Sequence, residues 1–222
     1  AEWIVANKAL LICDKCAGCH RALAGVSSVR SLKLDKLDPY ILKLLEMFPS
    51  NSLNKLYEGK FLEDKSLKRE INSLSDVKQR QDFINKKYIN HDFVKNKDKE
   101  RFLGVKEELS SSSGEGDDDN STSNTSSRTD IFKLIKDQDV EQLMLYLFLE
   151  IQSENPQPTS ISWCASKQFL PIHAAAIVGN PISIAAIILN DPTGINKLDA
   201  WGWSPLSYAT LYSNVAAVAA LL

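Results

Sequence analysis

The chain has 222 residues, with 26 Lys+Arg against 28 Asp+Glu and a formal net charge of −2. That length suffices for two domains, each burying its own core, and the near-neutral total hides an asymmetry. Residues 1–107 hold 21 Lys+Arg against 15 Asp+Glu (+6), whereas residues 108–222 hold 5 against 13 (−8). Four cysteines, two of them in a CxxC, exclude the dense framework of a small disulfide-rich secreted protein. No run of ~20 apolar residues offers a membrane span, and the start lacks the basic-then-apolar layout of a signal peptide. The expected setting is cytoplasmic, with any membrane contact peripheral. The basic half suits an acidic protein patch or an anionic membrane surface. Nucleic acid is set aside, because the lysines are scattered and no aromatic stacking platform accompanies them.

The first informative stretch is "CDKCAGCHRAL", residues 13 to 23. Cys13 and Cys16 have the spacing of two thiolates on one tetrahedral zinc. Cys19 and His20 stand close by, yet wrapping one ion within eight residues is sterically awkward, and the fourth cysteine, Cys164, is far along the chain. Reduced core thiols are the alternative reading of the pair. Next, Val29 to Asp35 alternates like a strand. Asp38 to Leu45 reads as a helix with Asp38 as N-cap and Pro39 at the first helical position, burying Ile41, Leu42, Leu44 and Leu45 on one face. A second helix is expected over Asp76 to His91, with Val77, Phe83, Ile84 and Tyr88 inward and its lysines toward water. These elements predict a mixed α and β module, helices dominant, over residues 1–107.

Residues 108–130 are acidic, Ser-rich and almost free of apolar side chains, the composition of a disordered linker. Beyond it, "LPIHAAAIVGN" (Leu170 to Asn180) returns as "SPLSYATLYSN" (Ser204 to Asn214), with Pro171 and Pro205 separated by 34 residues. The spacing and the Pro-Ile-His and Pro-Leu-Ser starts resemble the ankyrin repeat. With the earlier stretch Ile131 to Ile151, about three repeats are expected over 131–222, the last cut short. His173 is expected to hydrogen-bond backbone rather than to bind metal.

The stretch Trp3 to Asp35 resembles the Arf GTPase-activating (Arf GAP) zinc-finger domain through Trp3, Asn7, Cys13, Cys16, Gly18, His20, Arg21, Leu23, Val29, Arg30, Ser31, Leu32, Leu34 and Asp35. An Arf GAP domain followed by ankyrin repeats is the arrangement of the ACAP, ASAP and AGAP groups. The resemblance implies an α+β zinc-finger domain, mainly helical, followed by an all-α ankyrin solenoid. It implies a protein that is not itself an enzyme but stimulates GTP hydrolysis on an Arf-family small GTPase, in membrane traffic or cytoskeletal regulation. Arg21 of the His-Arg pair would be the arginine finger, and Trp3, His20, Arg30, Leu34 and Asp35 would support it or contact the GTPase. Asp35 is equally readable as a plain loop aspartate, and Arg30 as a solvated one of its kind. Cys13 and Cys16 would hold a structural Zn2+ whose other two ligands lie outside this chain, since the family's first cysteine pair precedes the tryptophan. Weak zinc binding is then expected. Two departures from the family pattern stand out: "LAGVSSVR" after Arg21 is one residue short and lacks the usual histidine, and Asp14 replaces an apolar residue. Cys19, where the family has Ile or Val, is expected to be a small buried hydrophobe. The alternative is a catalytically inactive scaffold that binds an unknown protein partner through its ankyrin repeats.

Overall fold

The structure is a computed structural model that describes residues 1–23, 25–48, 50–64, 71–103, 130–150 and 166–222. The expected linker, Asp130 apart, and Cys164 lie outside the described residues. In the first half, β1 (Trp3–Val5) pairs antiparallel with β2 (Leu10–Ile12) on one side and β3 (Val29–Ser31) on the other, in the order β2-β1-β3. A 3₁₀ turn, Ala6–Lys8, joins β1 to β2, with Ala9 left-handed at its end (φ 47°). Against this small sheet lies α1 (Asp14–Arg21), which begins at Cys13 and packs on α5 (Val77–Tyr88). Between them in sequence run α2 (Pro39–Met47), α3 (Ser50–Tyr57) and α4 (Gly59–Glu63), and α6 (Asn96–Leu103) follows.

The local signals explain where these helices start. Asp38 accepts the Tyr40 N–H at 2.7 Å while Pro39 opens the helix. Asp76 and Gln79 form a reciprocal capping box at 2.7 and 3.1 Å. Three expectations are corrected. In α2 only Leu44 is fully buried and Leu42 is exposed; in α5 Val77 is exposed, whereas Lys87 and Arg80 are buried. Lys87 is withdrawn from water because Glu58 meets its ammonium at 2.6 Å and Asn54 Oδ1 accepts from it at 2.8 Å. The strand expected over Val29 to Asp35 ends at Ser31, where the Ser31 hydroxyl accepts from Lys33 and Leu34 N–H groups and turns the chain.

Among the described residues of the second half the regular elements are all helices, the longer ones being α7 (Ile131–Lys136), α8 (Val140–Glu150), α9 (Pro171–Val178), α10 (Pro181–Asn190), α11 (Pro205–Leu211) and α12 (Val215–Leu221). Helices α7, α9 and α11 pack in one layer and α8, α10 and α12 in a second. The turn inside each pair carries a left-handed residue: Gln138 (φ 55°), Gly179 (φ 81°) and Ser213 (φ 56°). A Cβ on Gly179 would collide with the Asn214 side chain, which donates to the Ala176 and Ile177 carbonyls at 3.0 and 2.8 Å. His173 is fully buried; its Nδ1 accepts from the Leu170 N–H at 2.9 Å and Nε2 faces the Lys197 carbonyl at 3.0 Å. That is the backbone-bracing role expected from the sequence.

The two halves share one apolar core. Helix α10 packs on α2 and on the Ala6–Lys8 turn, and α8 packs on α6. Phe148 of α8 reaches into the first half, its ring 4.0 Å from Tyr57 and 6.0 Å from Tyr88. Covered by both halves, α8 buries every residue from Leu143 to Leu149.

Candidate functional site

The CxxC opens α1. Cys13 occupies the N-cap and is exposed; Cys16, one turn on, is half-buried, and its N–H donates to the Cys13 carbonyl at 3.1 Å. The two thiols lie within hydrogen-bonding reach of each other. Burial works to raise the Cys13 thiol, but its hydrogen bonds with Cys16 and the Arg80 charge outweigh this and hold it below its ordinary value. For Cys16, burial, the Cys13 hydrogen bond and the Cys13 charge together raise it against Arg80. Arg80 donates Nη1 toward Cys16 Sγ at 3.8 Å, and its remaining donors fasten the Asn72, Ser73 and Ser75 carbonyls at 2.7 to 3.2 Å.

Two thiols at CxxC spacing and within reach of each other could supply two ligands to one side of a zinc–thiolate site. No group of three or more His, Cys, Asp or Glu able to hold a metal ion exists among the described residues. Cys19 points elsewhere: it is buried, with its sulfur 3.6 Å from the Lys15 carbonyl and 3.9 Å from that of Val77, the small-hydrophobe role expected for it. His20 also turns away from the pair. Its Nδ1 pairs with Ser27 Oγ at 3.0 Å, its ring lies 5.1 Å from that of Tyr88, and burial, helped by the Lys8 and Lys87 charges, lowers it to about 4. A neutral His20 therefore anchors the loop that follows Arg21. Beside the cysteines opens a cleft of about 330 Å³ whose lining includes Asn54, Glu58, Lys87, His20 and Tyr88.

Arg21 closes α1 at the surface. Its guanidinium carbon stands 4.1 Å from the centroid of the Trp3 ring, stacked on the indole face. Trp3 is held by the sheet, paired to Ser31 and Ile12, and its Nε1–H donates to Asp14 Oδ1 at 3.1 Å. Neighbouring residues of the site come from β3 and the turn after it. Arg30 is exposed, opposite Ile4, and Leu34 projects with 84% of its surface exposed. Asp35 accepts the Ser31 N–H at 2.6 Å, closing the turn that presents Leu34. The arrangement brings Arg21 to Trp3 and spends the Asp35 carboxylate on backbone. The Asp14–Trp3 bond and the Arg80–Cys16 contact were not foreseen; an acidic residue inside a CxxC and an arginine in an otherwise lysine-rich helix were the available signals.

Comparison with known proteins places this geometry. Residues 1–97 match the ArfGap family, described as putative GTPase activating protein for Arf. Over 95 residues the chain is 36% identical to the chicken (Gallus gallus) "Arf-GAP with coiled-coil, ANK repeat and PH domain-containing protein 2", covering 42% of this chain and 12% of that protein. It is 32% identical over 95 residues to "Protein csx2" of Schizosaccharomyces pombe, covering 42% and 10%. Identity to the rat (Rattus norvegicus) "ARF GTPase-activating protein GIT2" is 34% over 92 residues, covering 39% and 12%. The chain thus spans about a tenth of the length of the curated relatives it matches. The matched span ends just inside α6, so the sheet, the CxxC helix and the exposed arginine all fall within it, and residues 1–97 are an Arf GAP domain.

Proposed function

We propose that this chain stimulates GTP hydrolysis on an Arf-family small GTPase, with Arg21 as an arginine finger supplied in trans. The observation that carries the reading is Arg21 itself: a solvent-facing guanidinium, preset by stacking on Trp3, within an Arf GAP domain. Hydrolysis of GTP spreads negative charge over the γ-phosphoryl oxygens, and a planar, permanently charged fork stabilises that charge by donating to two oxygens at once. Holding the guanidinium against an aromatic face before the encounter lowers the ordering cost of placing it. Exposed Arg30 on β3 and exposed Leu34 in the turn after it contact the GTPase, and the turn closed by Asp35 fixes Leu34.

Cys13 and Cys16 supply two ligands to a structural zinc, the others lying beyond the described residues. Bound zinc would rigidify the start of α1; Arg80, fastened to the 72–75 carbonyls, holds Cys16 in register. The helix pairs of residues 131–222 are ankyrin repeats, joined to the domain of residues 1–107 by the 108–130 segment, and they bind a protein partner. No described helix is long and apolar enough to cross a membrane, and action on a membrane-borne Arf takes place at the surface of an anionic bilayer.

Single-turnover GTP hydrolysis by a lipid-anchored Arf on liposomes tests the proposal. The chain accelerates hydrolysis, and Arg21→Lys, which keeps the charge but loses the fork, abolishes at least about 10³ of the stimulation. Equal stimulation by Arg21→Lys sinks the arginine-finger assignment. Arf binding without any stimulation favours the catalytically inactive scaffold instead.

A further inference from the structure

We infer that Asp14 is a positioning residue for Arg21, acting through the indole of Trp3; the inference rests on the arginine-finger reading above. Asp14 and Arg21 are the first and last residues of α1. Seven residues is nearly two full turns, so the two side chains share one stripe of the helix about 10 Å apart. Trp3, projecting from β1, lies across that stripe. Its Nε1–H is tied to Asp14 Oδ1 at 3.1 Å, and its ring face carries the Arg21 guanidinium at 4.1 Å. A stacked indole alone can rotate about its side-chain bonds and carry the arginine with it. The tether at the far edge of the ring removes that freedom, so that the plane on which Arg21 rests has one orientation.

The chemistry of the pair suits the task. Indole has a single donor, and a carboxylate is its strongest acceptor partner. Asp14 sits in the first turn of α1, where its charge also favours the helix. Asparagine at this position keeps an acceptor oxygen for the indole but gives up the charge, whereas leucine gives up both. The two substitutions therefore separate tethering from helix stabilisation.

The test is single-turnover hydrolysis by lipid-anchored Arf, measured as a function of the concentration of the full chain. Asp14→Leu is expected to lower the saturating rate about threefold to tenfold, the span of one net hydrogen bond, while the concentration giving half the maximal rate stays put. Asp14→Asn retains most of the rate. In a Trp3→Phe background, which lacks the donor, Asp14→Leu has no further effect, as a shared interaction requires. Equal losses in Asp14→Asn and Asp14→Leu, or an undiminished effect in the Trp3→Phe background, overturn the inference. So does a rate lost with Arg21→Lys but unchanged in Asp14→Leu, which leaves the arginine-finger reading standing. Failure of the wild-type chain to stimulate hydrolysis overturns both.

Discussion

Lys8 shows how far one residue can stand from its usual chemistry. Its side chain is 1% exposed, with the ammonium 4.2 Å from the Phe148 ring centroid and 5.9 Å from that of Tyr88. Burial lowers it from 10.5 to about 7. Between those values the unfolded chain holds the proton more tightly than the folded one, so stability rises with pH across the window and the cost is complete below pH 7. Lys8→Met, similar in length and uncharged, is expected to be more stable than wild type at pH 6, with an advantage that shrinks toward pH 10. Urea midpoints at the two pH values check this; a destabilised variant at pH 6 would mean that the aromatic faces more than offset the desolvation. Lys87 differs because its charge is met: Glu58 and Asn54 hold it at 2.6 and 2.8 Å. Removing the carboxylate with Glu58→Leu leaves a buried ammonium facing a hydrocarbon and is expected to cost about 3 kcal/mol, read from the shift in urea midpoint. Of these residues the sequence advertised Cys13, Cys16 and Arg21, because ligand spacing and the His-Arg pair are local patterns. The partners of Lys8, Lys87 and Trp3 lie 11 to 140 positions away, and no local periodicity reports such pairings.

At the scale of elements, helix starts were legible and helix faces less so. Asp38 with Pro39 is a capping signal that acts within one turn, and that cap forms as read; the reciprocal Asp76–Gln79 box acts over the same short span but was not read from the sequence. Leu42 and Val77 fit the apolar spacing yet stand in water, because a face is buried only where another element covers it. Helix α8 shows the converse. Its near-continuous apolar run, Leu143 to Leu149, is buried all round since the first half closes over the side its own neighbours leave open. Phe148→Ala removes the ring that touches Tyr57, Tyr88 and His91. It is expected to destabilise the protein by about 3 to 5 kcal/mol, measurable by chemical denaturation. A loss under about 1 kcal/mol would mean that α8 does not insert between the halves.

For the whole molecule, an Arf GAP domain and a set of paired helices were readable as two modules, but their union was not. A composition break shows where a chain divides, not whether the parts pack. Helix α10 on α2 and on the Ala6–Lys8 turn, with Phe148 among the rings of Tyr57 and Tyr88, makes one core of both. Unfolding is therefore expected as a single transition, with far-UV circular dichroism and tryptophan fluorescence coinciding along a urea titration; two resolved steps would contradict a shared core. The contact also bears on function, because the turn that α10 braces follows directly from the strand carrying Trp3, on which Arg21 rests.

Whether Arg21 reaches the transferring phosphoryl group of an Arf-type GTPase is read from complex formation with Arf bound to GDP and aluminium fluoride, a mimic of the planar phosphoryl group. Transition-state mimics bind far more tightly than ground states wherever a group acts on the transition state. The chain is expected to bind the aluminium fluoride form more tightly than the GDP form alone, and Arg21→Lys to remove the difference while leaving the weak GDP-form affinity unchanged. An aluminium fluoride preference that persists in Arg21→Lys, or none in the wild type, would contradict this.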